Sequence, residues 1–195
     1  GGEYAITSNE AFHLESLPES IAIVGAGYIA VEFAGIFAGL GVDVTMIYRG
    51  EQILRGFDDD LRDGLATEMR NRGVDIRVET DVTAIEQDGD AYRLQLRNGD
   101  TMRAGLVMYA TGRLPNTRNL GLEEAGVECG WNGHIVVDEF SKTSVDNIYA
   151  VGDVTDRAAL TPVAIREGAA FAETLFNDNP VAVDHEYIPT AVFSE

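Results

Sequence analysis

The stretch at residues 20–34, SIAIVGAGYIAVEFA, constrains this chain more than any other part of it. A short apolar run predicts a buried strand, and the glycines behind it predict a turn into a helix. Gly25 lets the backbone turn sharply where the strand ends. Gly27 has no side chain to keep a pyrophosphate off the main chain, and Ala30 is small enough for helix and strand to pack closely. The free N–H groups of the first helical turn suit negative phosphates. Ile29, Phe33, Ile36, Phe37 and Leu40 continue near helical spacing, with Gly39 or Gly41 as the stop, and residues 42–48 read as a second strand. The three pieces predict a right-handed βαβ unit in a parallel sheet, and so a Rossmann-like α/β fold. A GxGxxA turn by itself is common. Its place between a strand pattern and a helix pattern favours a dinucleotide site over a turn used only for packing.

The chain's 195 residues suffice for one good core, or one domain with part of another. Its net charge of −19 argues against nucleic acid or an anionic membrane surface as partner, and requires any anionic cofactor to be met by local positive charge. No apolar run is long enough to span a bilayer, and the first residues are unlike a signal peptide. Cys129 is the sole cysteine, so neither an intrachain disulfide nor a cysteine-rich metal site can form. His13, His134 and His185 show no ligand spacing and read as surface or loop residues, so no metal site is expected. A reducing cytoplasm fits this composition.

Taken in order, residues 7–10 (TSNE) predict a helix cap in a lead-in. Three aspartates at 58–60 open a second helix to about Arg72, Gly73 stops it, and residues 74–78 form a third strand. Residues 82–87, 91–96 and 101–103 are strands separated by DGD and NG turns, which predicts an antiparallel meander. Residues 106–110 form a buried strand leading into Thr111-Gly112-Arg113. Residues 133–138, 147–151 and 188–193 are further strand candidates. Thr161 is expected to cap a helix with Pro162 at its first position, running to about Phe176.

Some positions carry chemistry. An NAD-binding unit usually ends its second strand with an acidic residue for the adenosine ribose. Here Arg49 stands there, with Arg55 six residues on. Guanidinium groups bind phosphate through paired, charge-assisted hydrogen bonds, so the pair reads as a site for the 2′-phosphate of NADPH. The alternative is two solvated loop arginines, one paired with Glu51. Glu32 is either a solvent-facing helix carboxylate or a buried one that needs a partner. Tyr28 either packs at the helix start or lies over a cofactor. Gly152-Asp153 is either an ordinary turn or a carboxylate presented to a ligand hydroxyl. The helix at Thr161 is either simply capped or offers its positive end to an electron-rich group.

The motifs taken together resemble the flavoprotein disulfide reductases, and among them the glutathione reductases. GAGYIAVE at residues 25–32 is similar to their NADPH fingerprint. Arg49 and the run LRGFD at residues 54–58 repeat its arginine spacing. ATGRLPNT at 110–117, IYAVGDV at 148–154 and LTPVA at 160–164 follow in the family's order. The resemblance implies that Gly25, Ala26, Gly27 and Ile29 hold the NADPH pyrophosphate and ribose, with Arg49 and Arg55 on the 2′-phosphate. It implies backbone contact with NADPH at Gly112, and approaches to it at Ala159 and Ala191. Tyr28 and Glu32 become candidate catalytic residues. Tyr28 would cover the nicotinamide pocket and move aside, while Glu32 would tune the electrostatics of hydride transfer. Asp153 would accept a hydrogen bond from the FAD ribityl chain, and Thr161 with its helix start would face the flavin pyrimidine edge.

The implied architecture is an NADPH-binding domain over residues 1–115, part of an FAD-binding domain over 116–185, and the start of an interface domain over 186–195. The implied activity is NADPH-dependent reduction of glutathione disulfide by a cytoplasmic homodimer. The family's N-terminal FAD fingerprint, redox cysteine pair and C-terminal His–Glu pair have no counterpart in these residues. The sequence therefore resembles an internal segment, expected to bind NADPH but not to turn over by itself. Gly168-Ala169-Ala170 resembles trypanothione reductase and some plant-type glutathione reductases, and Tyr48-Arg49-Gly50 shares that leaning, which makes another low-molecular-weight disulfide the alternative substrate.

Overall fold

The computed structural model describes residues 1–194. The chain folds as two compact units, Gly1–Gly112 joined by the segment that starts at Ala191, and Arg113–Thr190.

The first unit contains, in chain order, α1 (Ser8–Ala11), β1 (Ser20–Val24), α2 (Tyr28–Gly39), β2 (Asp43–Ile47), α3 (Asp59–Asn71), β3 (Asp75–Arg77), β4 (Val82–Asp88), β5 (Ala91–Leu96), β6 (Thr101–Ala104) and β7 (Leu106–Tyr109). Four strands form a parallel sheet in the order β3-β2-β1-β7, and β4-β5-β6 form a separate antiparallel sheet. The βαβ unit and the meander therefore form as the residue pattern predicts.

Alternation along each strand explains the layers, because successive side chains leave a strand on opposite faces. Ile21, Ile23, Val44, Met46 and Met108 point to one face and pack with Ala30, Ala34 and Phe37 of α2 and Ala66 and Met69 of α3. Ala22, Val24, Ile47 and Val107 point to the other and pack with Ile85, Leu94, Leu96 and Ala104 of the meander. Both faces of the parallel sheet are thus covered, as the sheet's near-continuous apolar strands require. Ile23, Met46 and Ile47 have no exposure, and burying each contributes about 1.5–3 kcal/mol. Local signals set the helix ends. Thr7 and Glu10 form a reciprocal capping box on α1, and the Asp58 carboxylate accepts the amides of Asp60 and Leu61 at the start of α3.

The second unit departs from expectation. Residues 133–138 and 147–151 form no strand; they make only isolated bridges, Cys129 with Ile135 and Lys142 with Tyr149. Their amides go to unrelated places. Ile135 donates to the Val154 carbonyl, Val136 to Glu128 and Ala150 to Ser141, so no continuous ladder builds. Val127, Ile135 and Ala150 still supply a small core. Residues 188–193 are likewise not a strand. A 3-10 turn at Gly152–Thr155 precedes α4 (Thr161–Phe176). Leu160, not Thr161, is the N-cap of α4. Thr161 is the first helical residue and Pro162 the second, so no side chain caps this helix.

Candidate functional site

Ligands of open parallel sheets bind beyond the carboxyl ends of the strands. In this sheet β1 and β7 run side by side, Val24 opposite Tyr109, so the turns after them emerge together. Gly25 has φ +133°, and a Cβ there would collide with the Ala110 carbonyl. Only glycine fits this turn. Gly27 differs: it is the N-cap of α2, and a Cβ there would meet nothing within 4 Å. The space over Gly27 is an open cradle. Gly25 gives its amide to the Ile47 carbonyl at 2.9 Å, whereas the amides of Ala26, Gly27, Tyr28, Ile29 and Ala30 have no hydrogen-bond partner among the described residues. Five successive donors around an uncapped helix start suit an anion. Gly112, after β7, is exposed with φ +137°.

The arginine loop is joined to this turn. The Leu54 amide donates to the Ala26 carbonyl at 2.7 Å, and Leu54 takes a left-handed conformation, φ +51°, to do so. Arg62 of α3 holds the same loop from below: its Nε donates to the Ile53 carbonyl at 2.8 Å while its guanidinium pairs with Asp59. Arg49 and Arg55 are both exposed, and neither forms an ion pair among the described residues. Glu51 pairs with neither. Arg62 carries a structural job that the sequence pattern did not signal; its place one turn into α3, opposite a loop, is visible only in the fold.

Tyr28 heads α2, 41% exposed. Glu32, one turn further, is partly buried, and its Oε1 accepts the Phe193 amide at 3.1 Å. That bond ties the returning segment, with Ala191 in it, to α2.

In the second unit Asp153 is exposed, and its carboxylate has no hydrogen-bond or ion-pair partner among the described residues. Ala159 and Thr161 are exposed as well. The Thr161 amide has no backbone partner and Pro162 has none to give, so the start of α4 keeps an unsatisfied positive end. Glu167 is the residue that the sequence reading missed. Its carboxylate is 1% exposed and accepts from the Gly152 amide, Arg157 and His185. The available signal was spacing: Val163, Glu167 and Ala170 are the buried positions of α4, so a glutamate occupies the core stripe. His185, read as a surface or loop residue, packs in its loop against that carboxylate.

A family model described as pyridine nucleotide-disulphide oxidoreductase matches residues 2–168. The chain belongs to the pyridine nucleotide-disulphide oxidoreductases. Among curated members of that family, glutathione reductase of Burkholderia cepacia is 53% identical over 195 residues, covering 100% of this chain and 43% of its own. Trypanothione reductase of Leishmania donovani is 48% identical over 199 residues, covering 100% of this chain and 40% of its own. Among solved structures, the HOCl-induced flavoprotein disulfide reductase RclA of Escherichia coli superposes with a TM-score of 0.88 at 31% identity. That match covers 92% of this chain and 41% of RclA. The chain thus spans less than half the length of the family members it matches. No helix among the described residues is long and apolar enough to cross a membrane.

Proposed function

We propose that the chain is the NADPH-binding part, with some of the FAD-binding part, of a disulfide reductase that acts on glutathione disulfide. One observation carries the reading: Arg49 and Arg55 stand unpaired on a loop bonded to the Gly25–Gly27 turn, in a chain of net charge −19. Phosphate is the ligand that such a loop suits. The pyrophosphate lies on the amides of Ala26 to Ala30, over the cradle that Gly27 leaves open. Gly25, Ile29 and Gly112 shape its surroundings. The 2′-phosphate lies on Arg49 and Arg55, and Ala191 and Ala159 approach the cofactor. Each charge-assisted contact is worth about 1.5–3 kcal/mol.

In the second unit Asp153 takes a ribityl hydroxyl, and the free end of α4 at Thr161 faces the pyrimidine edge. A helix start stabilises negative charge that builds on a flavin as it is reduced. When bound, nicotinamide and flavin supply hydride and electron transfer, by which NADPH is oxidised and glutathione disulfide becomes two glutathiones. Tyr28 shields the nicotinamide position from water, and Glu32 sets the local field. On this reading residues 1–115 are the NADPH domain, 116–185 belong to the FAD domain and 186–195 begin the interface domain, while the compact units divide at Gly112/Arg113 and Thr190/Ala191. The working protein is a cytoplasmic homodimer that needs neither nucleic acid nor membrane. Trypanothione disulfide is the second reading, supported by the likeness at Gly168-Ala169-Ala170.

Paired titrations with NADPH and NADH test the cofactor. We expect the double variant Arg49→Ser, Arg55→Ser to lose roughly a hundredfold in NADPH affinity, with NADH nearly unchanged. Equal weakening of both would show that the arginines do not read the 2′-phosphate. Comparing turnover of the full-length parent, which supplies the redox cysteine pair, on glutathione and trypanothione disulfides decides the substrate.

A further inference from the structure

Glu167 is costly to bury. A carboxylate taken out of water loses several kcal/mol of solvation unless donors surround it. Here they do. Oε2 accepts the Gly152 amide at 2.5 Å, while Oε1 accepts Arg157 Nη2 at 3.0 Å and His185 Nε2 at 2.7 Å. Arg157 continues the network, with Nη2 donating to Ser141 Oγ at 3.0 Å and Nε to Thr155 Oγ1 at 3.4 Å. The Thr155 hydroxyl donates to the Gly152 carbonyl at 2.8 Å. The ring closes on Gly152: one side chain holds its N–H, another holds its C=O, and Arg157 links the two. Of the four buried polar side chains among the described residues, Thr155 and Glu167 belong to this ring and Ser141 branches from it at Arg157.

Gly152 needs such support. Its φ is +75°, and a Cβ would lie 3.2 Å from that of Ala164. The next residue is Asp153, exposed and without a side-chain partner. The turn that carries Asp153 is therefore held on both its N–H and its C=O by the buried side chains of Glu167 and Thr155.

We infer that Glu167 is a positioning residue for flavin binding: it holds the Gly152–Asp153 turn so that the Asp153 carboxylate is pre-aimed at the ribityl chain. Arg157 and His185, both bonded to Oε1, hold the Glu167 carboxylate in one orientation. This rests on the reading of Asp153 as a flavin contact. Pre-aiming matters because each group immobilised only upon binding weakens the complex. A role confined to packing α4 against the turn would affect thermal stability and leave the action of Asp153 untouched.

A double-variant cycle on FAD affinity separates the two, read by quenching of flavin fluorescence when FAD is added to the flavin-free protein. Asp153→Ala alone should weaken FAD about tenfold. Glu167→Leu, which removes the acceptor at similar volume, should weaken it about tenfold, and Glu167→Gln, with one acceptor for three donors, about threefold. In an Asp153→Ala background neither should add more than about twofold, since both act through the same carboxylate. Full additivity, or unchanged FAD affinity in the Glu167 variants while Asp153→Ala weakens it, overturns the positioning role. Unchanged affinity in Asp153→Ala itself overturns the flavin reading and this inference with it. If Glu167→Leu does not fold, the Glu167→Gln cycle decides by the same criteria.

Discussion

The Leu54 amide donates to the Ala26 carbonyl at 2.7 Å, so the arginine loop and the glycine turn behave as one piece. Arg62 is the strut beneath that piece. Arg62→Leu should release the Ile53 carbonyl and let Arg55 wander. We expect NADPH affinity to fall about three- to tenfold, NADH affinity to hold, and stability to drop by about 1–2 kcal/mol. Isothermal titration and a denaturant melt on the same sample check this. Equal losses for both nucleotides would place the role of Arg62 in the fold alone.

Gly25 and Gly27 should respond oppositely to the same substitution. Gly25→Ala forces a Cβ into the Ala110 carbonyl at φ +133°, and should cost about 2–4 kcal/mol of stability. Gly27→Ala meets open space, so stability should change by no more than about 1 kcal/mol, while NADPH binding should weaken by about tenfold or more. Chemical denaturation paired with nucleotide titration separates them. A tight-binding Gly27→Ala protein would show that no ligand occupies the cradle.

Tyr28 should act through the bulk of its ring. It is exposed, and its hydroxyl makes no hydrogen bond among the described residues. In the full-length parent, Tyr28→Phe should leave flavin reduction by NADPH within about twofold in a stopped-flow trace, since no bond is lost. A drop of several hundredfold would instead point to proton transfer by the hydroxyl, the range of acid–base catalysis being about 10²–10⁴.

Tyr109 closes β7, and burial pushes its phenol above the ordinary value, helped by the charge of Asp81. The folded state favours the neutral ring. The stability this gives is fully present below the ordinary tyrosine pKa of about 10 and is lost as pH rises through the raised value. Alkaline unfolding of Tyr109→Phe should therefore begin at higher pH than that of the parent, as followed by circular dichroism. An identical onset would mean that Tyr109 does not contribute.

Much of the first unit was legible because its signals are local. The apolar run, the glycine pair and the helix stripe lie within residues 20–40, and each agrees with the others. Arg49 and Arg55 drew notice by their distance from that fingerprint, and the fold bonds their loop to the glycine turn through Leu54 and Ala26. The second unit was harder to read for a physical reason. Ile135, Val136 and Ala150 have strand-like neighbours, yet their amides pair with three separate segments, and a residue pattern carries no record of distant partners. Glu167 was hidden similarly. A charged residue on a helix reads as solvated until the fold shows Gly152, Arg157 and His185 around it. Thr161 was displaced by a single position, because a threonine before a proline fits either the cap or the first turn.

The bond between Glu32 and Phe193 spans 161 residues of sequence. A ribosome releases Glu32 long before Phe193, and the whole Arg113–Thr190 unit is made in between. Until then the glutamate carboxylate on α2 waits in water. Domains generally fold as they emerge, and closing a long loop costs only logarithmically more than closing a short one. The second unit can therefore condense before the tail returns to α2. The Glu32–Phe193 contact thus makes the Gly1–Gly112 unit depend, for its completion, on a segment that is made only after the whole Arg113–Thr190 unit.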